Sequence, residues 1–160
     1  MTAPPSPELS PDPQTPPPAP YASPCTCFQV RRAARIITGR YDAALAPLGL
    51  RITQFSVLAH LVQQPVPLTA LAEMLVMDRT TLTRTLKPML AAGWVTTEAD
   101  PTDRRIKRAQ LTETGLALFE QAVPLWRDTQ RAVKDHLGRD FVRDLHDRLT
   151  TVWETLSAAP

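Results

Sequence analysis

Between Cys25 and Leu48 apolar residues return at three- and four-residue spacing: Phe28, Ala33, Ile36, Ile37, Tyr41, Ala44, Leu45 and Leu48, with Arg31, Arg32, Arg35 and Arg40 falling largely between them. That period predicts a helix, closed by Pro47 and Gly49. A second helix is expected over TQFSVLAHLVQQ, capped by Thr53, with Phe55, Leu58, Ala59, Leu61 and Val62 as its apolar face. Pro65 and Pro67 stop it, VPLT leaves room for a short strand only, and Thr69 is expected to cap a third helix, ALAEMLVM. A turn at Met77 and Asp78 leads to a fourth helix with Asp78 as its N-cap. Leu82, Leu86, Met89 and Leu90 form its apolar stripe, and Arg79, Thr80, Thr83, Arg84 and Lys87 occupy the opposite face. Pro88 removes a backbone hydrogen bond and is expected to bend the last turn, and Gly93 to end the helix.

The period then changes. WVTTEA and KRAQLT alternate as the two arms of a hairpin do, joined by DPTDRR. From Thr112 the helical period resumes with Leu116, Phe119, Val123, Trp126, Val133 and Leu137, in a long helix that Pro124 is expected to kink and Gly138 to break. A last helix places Phe141, Leu145, Leu149, Val152, Trp153 and Leu156 on one stripe. The expected fold is mainly α with a small β-hairpin wing. Residues 51–111 are a winged helix-turn-helix domain, and 25–50 with 112–160 form a helical dimerisation region. These outer helices are more apolar than a small domain requires, and they are expected to cover each other across a two-fold axis in a homodimer.

Composition adds a tail and removes several function classes. Residues 1–24 hold ten of the 17 prolines in the 160-residue chain and predict a disordered segment with polyproline stretches, either a plain solvated leader or a docking ligand for a proline-binding partner. No apolar run approaches the ~18 residues of a membrane span, and no signal peptide is visible, so the expectation is a cytoplasmic protein away from the membrane. Cys25 and Cys27 are the only cysteines, expected as thiols in a reducing compartment. His60, His136 and His146 are too dispersed for a metal site and are expected at the surface or an interface. The chain has only five glycines and no phosphate-cradling loop, no nucleophile–base ordering and no distinct carboxylate pair, which argues against an enzyme and against a cofactor.

The formal charge is only +2, so its distribution matters more than its total. From Asp100 to Arg108, four basic residues stand with two acidic ones. A helix enters the major groove of duplex DNA when one face packs on its own domain and the other offers donors and small groups to base edges. The fourth helix meets both conditions: Arg79 and Arg84 can reach guanine edges or phosphates, and its threonines offer hydroxyls to phosphates and methyls to thymine. Arg104 and Arg105, in the hairpin loop, are candidates for a narrow minor groove, with the Asp103 carboxylate expected to hold a neighbouring guanidinium. The rival from another class is a winged helix used for protein contacts, since a polar helix and a basic loop are each commonly just solvated.

LRITQFSVLAHL, LAEMLVMDRTTLTRTLKPMLAAGWV and DPTDRRIKRAQLTETG resemble the signature segments of MarR-type transcriptional regulators, and the likeness spans roughly residues 26 to 156. The resemblance implies a triangular homodimer on a pseudo-palindromic operator, usually repressing. It assigns Arg105 to the wing tip with Asp103 as its partner, and Arg79, Thr80, Thr81, Thr83 and Arg84 to the groove-facing positions. It also implies release by a small anionic or phenolic ligand or by thiol oxidation. Cys27-Phe28 resembles the reactive Cys-Phe pair of the organic-hydroperoxide-sensing branch, and Tyr41 matches a tyrosine that contacts that thiol, but Ile52 stands where that branch has its second tyrosine, so the hydrogen-bonding pair that would lower the thiol's pKa is incomplete. Near Arg31 and Arg32 at a helix start the Cys27 thiol could be acidified, with Cys25 resolving a sulfenic acid, although a cysteine there is more often a small packing residue. For a ligand, Phe55 and His60 with Arg31 and Arg35 are the expected pocket, suited to a carboxylate or phenolate. Phe119, Trp126 and Trp153 are expected mainly as core.

Overall fold

The computed structural model describes residues 25–157, so the expected proline-rich tail lies outside the described residues. Helix α1 runs Thr26–Leu45 and continues into a 3-10 turn at Ala46–Leu48, which Gly49 ends at φ 65°, a left-handed conformation open to glycine without a Cβ clash. Then come α2 (Ile52–Leu61), β1 (Val66–Pro67), α3 (Leu68–Met74), α4 (Arg79–Ala91), β2 (Val95–Ala99), β3 (Lys107–Leu111), α5 (Glu113–Leu137) and α6 (Arg139–Ser157). The chain divides into two compact units, one up to Ile36 and the other from Ile37 onward.

The second unit is built on an α2–α3–α4 helix cluster and an antiparallel sheet of order β1-β3-β2 among the described residues. Thr97 pairs with Ala109, and Val66 pairs with Ala109 from the other side, so the two-residue β1 turns the hairpin into a three-stranded sheet. Its core joins Leu45 and Leu50, Phe55, Val57, Leu58 and Leu61 of α2, Leu71 of α3, Leu82, Leu86 and Met89 of α4, and Ala122 of α5. The core therefore runs continuously past residues 50 and 112. Phe119 and Trp126 pack against it, each stacked on Phe55, with ring centroids 5.2 and 5.8 Å away.

Several local expectations are corrected. Thr53 does not cap α2: the Asp42 carboxylate accepts the Ile52 N–H at 2.8 Å and Gln54 accepts the Arg51 N–H at 2.9 Å. Thr69 lies inside α3, which starts behind Pro67 with no side-chain cap. On α2 the buried positions include Val57, whereas Ala59 and Val62 are exposed. Leu90 of α4 is likewise exposed. Trp153 is exposed and takes no part in the core. Pro88 and Pro124 sit inside α4 and α5, which continue past them. Among the described residues no helix is long and apolar enough to cross a membrane, and no group of three or more His, Cys, Asp or Glu could hold a metal ion.

Candidate nucleic-acid interface

Helix α4 is fixed at both ends by bonds within a few residues. At its start, the Asp78 carboxylate accepts the Thr81 N–H at 2.8 Å and the Thr81 hydroxyl at 2.7 Å. These bonds, the hydroxyl one foremost, hold the Asp78 carboxyl below its ordinary pKa. At its end, Gly93 takes φ 70°, its N–H donates to Leu90 and the Trp94 N–H donates to Met89 at 2.9 Å, which is the paired bonding of a Schellman stop. Leu82, Leu86 and Met89 anchor the inner face. Arg79, Thr80, Thr83, Arg84 and Lys87 are exposed together on the outer side, and Thr81 is half-buried beside them.

The threonines are not equivalent. Thr81 donates its hydroxyl proton to Asp78, and Thr83 donates to the Arg79 carbonyl at 2.8 Å, so neither has a donor left for a phosphate. Among the threonines expected to face the groove, Thr80 alone keeps its hydroxyl out of the intrachain hydrogen bonds of the described residues.

The wing loop is ordered by two carboxylates. Asp100 accepts from the Thr102 N–H at 2.8 Å, the Thr102 hydroxyl, and the Asp103 N–H at 3.3 Å. Its second oxygen pairs with Arg108 at 3.3 Å. The Thr102 bonds are the chief reason that its carboxyl stays below the ordinary value. Asp103 was expected to hold a neighbouring guanidinium; among the described residues it forms no ion pair and accepts the Arg105 backbone N–H at 2.9 Å. It fixes the peptide that carries Arg105 and leaves the side chain to point outward, and Arg104 and Arg105 are both exposed.

Arg108 is the residue that sequence reasoning passed over. From β3 it reaches the Pro65 carbonyl with one nitrogen at 2.6 Å and Asp100 with another, and its buried Nε has no hydrogen-bond partner. The guanidinium thus ties the α2–β1 connection to the root of the wing. Only the basic count of the loop pointed to it, and that gave it no separate role.

Phe55 is almost fully buried in its aromatic stack and has no free face for a ligand. His60 is half-buried, with Nδ1 2.7 Å from the Ser56 carbonyl. Arg31 and Arg35 are exposed on the first half of α1, as are Cys27 and, just before the helix, Cys25. The Tyr41 hydroxyl donates to Gln130 of α5, and burial raises its pKa.

An exposed cationic helix beside an ordered basic loop, both carried on a packed core, is the geometry of a duplex reader. Comparison with known proteins agrees. A family model described as MarR family matches residues 48–106. The organic hydroperoxide resistance transcriptional regulator of Bacillus subtilis is 30% identical over 131 residues, 81% of this chain and 88% of its own length. The M. tuberculosis transcriptional regulator MosR, solved in complex with DNA, is 40% identical with a TM-score of 0.72, over 83% of this chain and 98% of its own. CouR, a transcriptional repressor solved on a 23-mer DNA duplex, is 27% identical with a TM-score of 0.73, over 80% and 92%. The Rhodococcus jostii CouR with p-coumaroyl-CoA bound is 25% identical with a TM-score of 0.68, over 79% and 90%. These relatives are regulators and not enzymes, and the chain is a DNA-binding transcriptional regulator of the MarR family.

Proposed function

We propose that the chain acts as a homodimeric repressor on a pseudo-palindromic operator and is released by a small aromatic or anionic ligand. The observation that carries the dimer is the outer face of α6, where Phe141, Leu149, Val152, Trp153 and Leu156 are all exposed on one chain. Large apolar side chains repeated along a helix mark a surface meant to be covered, and a second copy covers it while setting two α4 helices a fixed distance apart. In each half, Arg79, Thr80, Thr81, Thr83, Arg84 and Lys87 face the major groove and Arg104 and Arg105 approach the minor groove. Asp103 orders the loop between them. Such a regulator works wherever the DNA is, which supports a cytoplasmic place. Ligand release is supported by the relative that binds p-coumaroyl-CoA.

The test is to select fragments of the source genome that the protein retains, and to measure how many chains occupy each. Two chains per site, on inverted half-sites about one helical turn apart, is the expected result. Single-chain occupancy, or retention without sequence preference, contradicts it.

A thiol switch is the second reading, favoured by the similarity to the hydroperoxide-resistance regulator and by the exposure of Cys27 with Cys25 close by in sequence. Tyr41, which the resemblance places at that thiol, donates its hydroxyl to Gln130. If this reading holds, hydroperoxide lowers operator affinity of the wild type and leaves Cys27→Ser unaffected. Equal behaviour of the two proteins rejects it.

A further inference from the structure

Four positions among the described residues take a positive φ, each just past the end of a helix, and three of them are glycines: Gly49, Gly93 and Gly138. The fourth is Val76, at φ 51°, after the end of α3. The bonding there demands that conformation. The Val76 N–H donates to the Glu73 carbonyl at 3.0 Å and the Met77 N–H to the Ala72 carbonyl at 2.8 Å, the same paired stop that Gly93 and Trp94 make after α4. Val76 thus occupies the position that glycine usually fills, and a side chain branched at Cβ is poorly suited to it.

The chain's own packing gives the valine no reason to be there. Leu75 and Met77, on either side of it, pack against the core, whereas Val76 is 71% exposed. A lone exposed apolar residue is ordinary. One held in a disfavoured conformation, where glycine would serve the turn better, points to a contact outside the chain.

Its place in the chain says which contact. Val76 stands two residues before the Asp78 cap and three before Arg79, so it adjoins α4 at its N-terminal end, the end of a recognition helix that contacts base edges. The exposed side chains that follow, Arg79, Thr80, Thr83 and Arg84, are cationic or hydroxylic. A compact branched apolar group beside them suits the apolar feature that the major groove displays, the C5-methyl of thymine.

We infer that Val76 is a specificity-determining residue that packs against one thymine methyl in each half-site, and that the strained α3–α4 turn holds it there. This role rests on α4 entering the major groove, as proposed above.

The experiment sets two variants against single thymine-to-deoxyuridine replacements along a selected operator, each of which removes one methyl and no hydrogen bond. Val76→Gly and Val76→Asn put residues that accept the left-handed conformation into the turn, so neither should lower the thermal midpoint. Both should weaken operator binding by about fivefold, and non-specific binding far less, as loss of a partly buried aliphatic group requires. One replacement per half-site should weaken wild type by about threefold and leave both variants nearly unaffected, which marks the two groups as partners. Arg84→Ala tests the underlying reading in the same assay. Operator affinity that survives both Val76 variants but falls in Arg84→Ala overturns the role of Val76 and keeps the reading. If Arg84→Ala is silent as well, both fall. Replacements that weaken the Val76 variants as much as wild type overturn the thymine contact. A loss confined to Val76→Gly overturns it too, because it traces to a looser backbone.

Discussion

The reading stretch from Asp78 to Gly115 and the last helix, α6, are both polar on one side and apolar on the other, yet one chain satisfies only the first. In the reading stretch the apolar side is buried against the chain's own core, and its carboxylates and helix ends are bonded within a few residues. In α6 only Val142 is buried, and the apolar stripe faces outward. The difference is one of division of labour. A surface that must meet DNA in a set shape is rigid before the encounter, whereas the stripe of α6, under the proposed dimer, is left incomplete until a second copy covers it.

The largest effect is expected where the reading stretch closes on α5. A Cβ at Gly115 would stand 2.0 Å from the Trp94 carbonyl oxygen, a backbone atom that cannot swing away. Gly115→Ala should therefore destabilise the fold by about 3 kcal/mol, the upper part of the range for overpacked sites, read as a lower urea midpoint. A midpoint like the wild type would show that the closure is looser than described.

On the other side of the comparison, Leu149→Glu/Leu156→Glu should weaken dimerisation roughly a hundredfold by placing charge on the apolar stripe, with little change in monomer helicity. Sedimentation across a concentration series reads it. An unchanged dimer would mean that the stripe is covered by something other than the second copy.

A smaller effect is expected from the wing root. Arg108→Met removes the tie between Pro65 and Asp100 and should lower specific operator affinity by roughly tenfold, the size of one charged hydrogen bond, with the non-specific salt slope nearly unchanged. Acid sharpens the same point. Asp78 and Asp100 have carboxyl pKa values below the ordinary 3.8 in the folded chain, so their stabilising contribution is complete above that value and is lost as pH falls through the lower folded values. Amide exchange at Thr81, Thr102 and Asp103 should show protection that fades only in that acidic window. Fading near neutrality would point to a different titrating group.

The smallest effect has the opposite sign. Val76 sits at φ 51° in the α3–α4 turn, a β-branched residue in the left-handed region, and its side chain is 71% exposed, so little packing offsets the strain. Val76→Gly should stabilise the fold by about 1 kcal/mol. Its thermal midpoint checks this, and a decrease would show that the valine makes a contact worth more than its strain.

Sequence resolved this molecule wherever the determining contacts lie within one turn. The Asp78 cap and the Gly93 stop were legible because each depends on residues at most a few positions apart, and the hairpin because its two arms alternate on either side of one short loop. Thr53 failed as a cap because a tertiary contact supplied the terminus, Asp42 reaching Ile52 from the preceding helix, and Thr69 because α3 starts earlier, behind Pro67. Nothing local reveals that Phe119 and Trp126 arrive from α5 to stack on Phe55. The fold and the position of the reading surface were thus legible, while the hydrogen bonds that shape the wing, above all those of Asp100 and Arg108, depended on β1 folding back onto β3.

The central claim is that Arg105, presented by the ordered wing and not by a side-chain partner, adds sequence-specific affinity to a helix already seated in the major groove. Equilibrium binding of wild type and Arg105→Ala to a selected operator, and to the same DNA with its half-sites scrambled, tests it most directly. The account predicts that the substitution weakens operator binding by roughly ten- to a hundredfold and scrambled binding far less, which narrows the ratio between the two. An operator affinity equal to wild type, or an equal loss on both DNAs, would contradict it.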